Sequence, residues 1–156
     1  MSIQQQFQEP YNKYDLIDVI KQGFFMAIVG GLLIGSLQLL IAYSFNISLT
    51  WLMLIILASL TAKRIKQASS SPHIIFSIIS VVSFVFAYYL MNVTSNVGLI
   101  YLFTGTIDFN LVIEVLNPLP FFNFLNPLNS LFFKVNNIID IVFFIISVYY
   151  AYKHSK

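Results

Sequence analysis

The chain has 156 residues, 58% of them hydrophobic and 9% charged, where a soluble domain carries roughly a quarter charged residues. So few charges cannot cover a water-facing surface, and a net charge of +2 is too small to suggest nucleic-acid binding. The absence of cysteine excludes disulfides, thiolate metal sites and thiol redox chemistry, and His73 and His154 lie too far apart to suggest a metal site.

Residues 1–14 read as a polar, glutamine-rich tail expected to be disordered, and 15–153 as one membrane domain. Between Tyr11 and Lys21, Asp15 is expected to cap a helix, with Asp18 three residues on as in a capping box. Tyr14, Ile17 and Ile20 share one side there, forming an interfacial turn that runs directly into the first span.

That span, about 22–43, holds no charge from Gly23 to Tyr43 and is about 30 Å long as a helix, one bilayer core. It begins too late and runs too long for a cleaved signal peptide. Gly23, Ala27, Gly31 and Gly35 recur every fourth residue and line one face, where small side chains let another backbone approach closely. Gln38, near that face, needs a hydrogen-bonding partner on a neighbouring helix. The span is expected to be the centre of the bundle.

The second span, about 47–62, opens near Trp51, an interfacial anchor, and stops at Lys63, Arg64 and Lys66. Ser71 followed by Pro72 then predicts a helix start, and the third span covers 73–91. Ser77, Ser80, Ser83 and Ala87 lie close to one face of it, read as packing in preference to a pore lining.

Residues 92–136 read as an external amphipathic loop broken by Pro118, Pro120 and Pro127. Short helices are expected at 108–116, capped by Asp108, and at 126–134, lying at the membrane surface or over the bundle. The alternative is a re-entrant hairpin broken at Asn117–Pro120, which requires protein or a water cavity to cover its backbone. The last span, about 138–152, has Asn137 and Asp140 at capping-box spacing. Tyr149, Tyr150 and Tyr152 form a belt at its far end.

Four spans place Lys13, Lys21, Lys63, Arg64, Lys66, Lys153 and Lys156 on one side and leave Lys134 opposite. The positive-inside rule then puts both termini in the cytoplasm of a multi-pass cell-membrane protein. Sixteen Phe and nine Tyr (16 and 9 of the chain) exceed what so small a bundle can bury, which suits lipid and a protein partner.

No catalytic constellation, phosphate-binding loop or cofactor motif is present in the sequence. Asp140 is the candidate intramembrane carboxylate, although helix capping explains it as well. The leading expectation is a non-catalytic accessory or assembly subunit of a membrane complex, or a homo-oligomer. The rival is a small oligomeric channel or transporter, its path lined by Gln38, Ser77, Ser80 and Ser83, with Asp140 at the outer mouth.

Gly30, Gly31 and Gly35 in the first span, Lys63 and Arg64 after the second, Tyr88 to Leu90 in the third, and Asp140 with Tyr149 to Lys153 in the last together resemble a loose group of small four-helix bacterial membrane proteins of unknown function. The resemblance covers most of the chain. It implies an all-α fold, a four-transmembrane-helix bundle with short interfacial helices between helices 3 and 4, and no activity.

Overall fold

The structure, a computed structural model, describes residues 11–107, 109–129 and 132–156, and of Asn136 only the backbone. Of the expected tail 1–14, residues 1–10 lie outside the described residues, as does the expected cap Asp108; Lys13 and Tyr14, expected in the tail, instead begin the first helix, whose N-cap is Asn12. Among those described, every regular element is helical.

Helix α1 runs Lys13–Phe45. Its N-cap is Asn12, whose side chain accepts the Tyr14 N–H at 3.0 Å. Asp15 was expected to cap this helix and does not. It accepts instead from the Ser70 N–H at 2.9 Å and the Ser70 hydroxyl at 2.5 Å, tying the start of α1 to the loop before the third long helix. These bonds, the hydroxyl's first, hold the Asp15 carboxyl below the usual carboxylate value of 3.8. Over Met26–Gly30 the α1 ladder loosens into one π turn. The helix ends at Asn46, which adopts left-handed geometry (φ 54°) and returns its N–H to Ala42.

Helix α2 runs Thr50–Ala68 and takes in Lys63, Arg64 and Lys66, which were expected to lie beyond its end. Helix α3 runs Ile74–Thr104, well past Met91, where the third span was expected to stop. The polar residues just beyond Met91 are satisfied inside the helix. The Asn92 and Asn96 amides donate to Tyr88 and Asn92 carbonyls at 2.8 Å, and the Thr94 hydroxyl donates to Leu90 O at 2.8 Å. His73 caps α3 with Nδ1 accepting the Ile75 N–H at 3.1 Å, so Ser71 and Pro72 lie before the helix. Gly105, at φ 71°, stops it with nothing within 4 Å of where a Cβ would be, so the demand there is conformational.

Helix α4 is Phe109–Val115. The second short helix is not at 126–134: α5 is Leu119–Phe122, continued by a 3₁₀ turn over Asn123–Leu125, and 126–129 is a turn. Helix α6 runs Val135–His154. Its N-cap is Lys134, which places Asn137 and Asp140 inside the helix and removes their capping-box role. Asn137 spends its amide on the Phe124 and Phe132 carbonyls at 3.1 Å, holding the preceding segment to the helix.

Among the described residues, α1 and α3 are the two helices long and apolar enough to cross a membrane, with 33 and 31 residues, about 50 and 46 Å. α2 and α6 are shorter, at 19 and 20 residues, about 30 Å each. The centre of the bundle is α3, not α1: α3 packs against α1, α2, α4 and α6, and α2 packs against α6. The main core joins Ala27, Leu54, Leu57, Phe84, Ala87, Tyr88, Met91 and Phe144. A smaller cluster of Val19, Ile65 and Phe76 closes the end that carries the basic residues.

Candidate functional site

The small-residue face of α1 meets α3. A Cβ built at Gly23 would fall on the Ser83 hydroxyl, one at Gly31 would lie 2.8 Å from Ala87 O, and one at Gly35 would lie 2.6 Å from Met91 O. Ala27 between them is fully buried. From Gly23 to Gly35 the contacts on α3 rise from Ser83 to Thr94, and Gly98 lies against Leu39. The two helices therefore run parallel and in step. Their backbones touch closely enough for the Ser95 hydroxyl to donate to Gly35 O at 2.9 Å. Ser95 was missed in the sequence, yet Ser83, Ala87, Met91 and Ser95 continue a four-residue spacing that was there to be read.

Gln38 finds its partner on α2, donating to the Thr50 hydroxyl at 2.9 Å. Its carbonyl oxygen is buried without a partner among the described residues. Ser48 bridges to Thr50 at 2.9 Å, so the polar groups at this end form a short chain.

Ser77 and Ser80 are fully buried on α3, as is Ser147 on α6. None of the three hydroxyls has a partner among the described residues. Thr61 on α2, equally buried, shows the usual solution by bonding to Leu57 O at 2.8 Å. Ser83 belongs to the glycine interface instead.

Asp140 lies half-buried one turn before Phe144 on α6. It has no ion-pair partner among the described residues. The structure does not bring it to Ser77 and Ser80. Eight residues of helix, about 12 Å, separate Ser80 from Tyr88. Between them Phe84 and Tyr88 meet Phe144 at ring-centroid distances of 5.9 and 5.3 Å. Within one chain the proposed polar path is thus interrupted by aromatic rings.

The same rings anchor the segment before α6. Phe122 and Phe124 stack edge-on to Tyr88 at 5.5 and 6.2 Å. The Tyr88 hydroxyl donates to Phe121 O at 3.3 Å and the Tyr89 hydroxyl to Leu116 O at 2.7 Å. The chain thus leaves α3 at Gly105 and folds back along it as far as its middle. There the two tyrosines satisfy backbone carbonyls, of which Leu116 O has Pro120, without an N–H, at its helical donor position. Nothing in the sequence marks these two tyrosines as ties, because the partners are backbone atoms about thirty residues away.

Among the described residues no group of three His, Asp or Glu could hold a metal ion. Compared with protein-family models, with curated proteins and with solved structures, the chain matches none.

Proposed function

We propose that this chain is a four-span membrane protein, with α1, α2, α3 and α6 as its spans. It works by association, as an accessory or assembly subunit of a membrane complex or as a homo-oligomer, and not by catalysis. α2 and α6 are each about one bilayer core long and pack on one another and on α3. The alternation of the four spans collects Lys63, Arg64, Lys66, Lys153 and Lys156 at one end, which the positive-inside rule places in the cytoplasm together with both termini.

The observation that carries the association is the unequal length of the spans. Gln38 of α1 is level with Thr50, where α2 begins, and Leu39 is level with Gly98 of α3. Beyond that level α1 and α3 continue to Phe45 and Thr104. The projecting turns expose Tyr43, Phe45, Tyr101 and Phe103, joined by Phe109 from α4. Above the start of α2 these large apolar side chains are left uncovered, and exposed apolar surface of this kind is where a partner can dock.

A photo-crosslinking residue placed at Phe103 or Tyr43 in intact membranes tests this. One defined adduct, to a second copy or to a single other membrane protein, is expected at both positions and not at the exposed Ile78 nearer the basic end. Lipid adducts alone at all three positions, with a monomer after mild extraction, overturn the proposal.

A further inference from the structure

We propose that the groove between the π turn of α1 and helix α2 binds one anionic phospholipid from the leaflet at the basic end. An acyl chain lies in the groove and the phosphate rests on Arg64 and Lys63. The groove measures about 540 Å³; Leu33, Val29, Gly30 and Leu60 form its apolar length, and Lys63 and Arg64 its mouth. Three of the lining residues, Met26, Val29 and Gly30, belong to the π turn, a distortion that recurs at functional sites.

Charge selects the occupant. Arg64 and Lys63 are exposed, and among the described residues neither has a carboxylate partner. The Arg64 guanidinium sits 6.0 Å from the centroid of the Phe25 ring, which steadies it at the mouth. A second, polar hollow of about 450 Å³ opens beside it, lined by Gln22, Gln67 and Asp18 and sharing Arg64. The two amides there can hydrogen-bond the hydroxyls of a headgroup. Asp18, the one acidic side chain in that hollow, already faces Lys21 at 3.6 Å, so its repulsion of a phosphate is offset. An apolar trough leading to paired cations is the shape and charge of a phospholipid, whereas a free phosphate would leave the trough empty.

This inference rests on the membrane reading above but not on the partner. The test is thermal unfolding of the full chain in vesicles of phosphatidylcholine alone and with phosphatidylglycerol, alongside native mass spectrometry to count retained lipids. Phosphatidylglycerol is expected to raise the midpoint by about 5 °C, with one lipid retained per chain. Arg64→Gln should weaken retention about fivefold. Lys66→Gln, a basic-end cation outside the groove, should leave it unchanged.

Leu60→Trp and Val29→Trp each fill the trough from a different helix, and both should remove the midpoint rise. Equal effects of Arg64→Gln and Lys66→Gln would reduce the result to diffuse surface charge and overturn the site. So would a rise that survives both tryptophans, since the trough would then be unused. Equal midpoints in the two vesicle types strike the lipid site alone. A chain that enters neither vesicle type strikes the membrane reading, and the site with it.

Discussion

Toward α1, helix α3 presents Ser83, Ala87 and Ser95 to glycines; toward α6 it presents Phe84 and Tyr88 to Phe144 and to the folded-back Phe122 and Phe124. The first contact is backbone against backbone, and the atom that limits it is a peptide carbonyl held in a helix. The second is ring against ring, with several edge-on neighbours able to share a change in volume. On the membrane reading proposed above, apolar surface gains little by leaving its solvent, and both contacts depend on fit. They differ in what can yield. One interface is set by the absence of side chains and the other by their number.

The largest expected effect is at the glycine face. Gly35→Leu drives a side chain into Met91 O and breaks the bond from Ser95, costing about 3 kcal/mol. Leu40→Phe on the exposed side of the same helix should stay within about 0.5 kcal/mol. Thermal unfolding in detergent measures both, and similar losses would remove the distinction between the faces. At the aromatic junction, Phe144→Leu is expected to cost about 1 kcal/mol, because Phe122, Phe124 and Tyr88 can close around the smaller side chain. A loss as large as that of Gly35→Leu would show the rings to be as unyielding as the backbones.

The smallest effect belongs to the ties. Tyr89→Phe removes the donor to Leu116 O and should cost about 0.5 kcal/mol. The loss should be local: proteolysis between 116 and 125 speeds up while the midpoint for the long helices hardly moves. An unchanged cleavage rate would mean that the rings alone hold the segment.

The glycine ladder was legible because a four-residue spacing fixes one helix face whatever lies opposite. That α3 and not α1 is central was not legible. The spacing of Gly31 and Gly35 says that something comes close, not how many other helices that partner touches. The length of α3 was hidden by Asn92, Thr94 and Asn96, residues that favour turns unless their side chains bond one turn back, as they do here. Asp15 read as a cap because its true partner, Ser70, lies 55 positions away. Asn137 misled in the same way, its partners being carbonyls of an irregular segment. Ser77 and Ser80 on α3 were found by their spacing; that their hydroxyls meet no partner among the described residues depends on the neighbouring helices and was not legible there.

Because α1 and α3 run parallel, the bond between Ser95 and Gly35 joins positions 60 residues apart, with all of α2 made in between. A growing chain therefore has a long interval in which α1 and α2 exist and the glycine face has nothing to rest on. α2 touches α1, so the pair can form, yet it leaves bare the face that most closely specifies its neighbour. Whatever occupies that face in the meantime must leave when α3 arrives. The order of synthesis thus makes α3 the step that commits the fold, and α6, which docks on α2 and α3, the step that seals it.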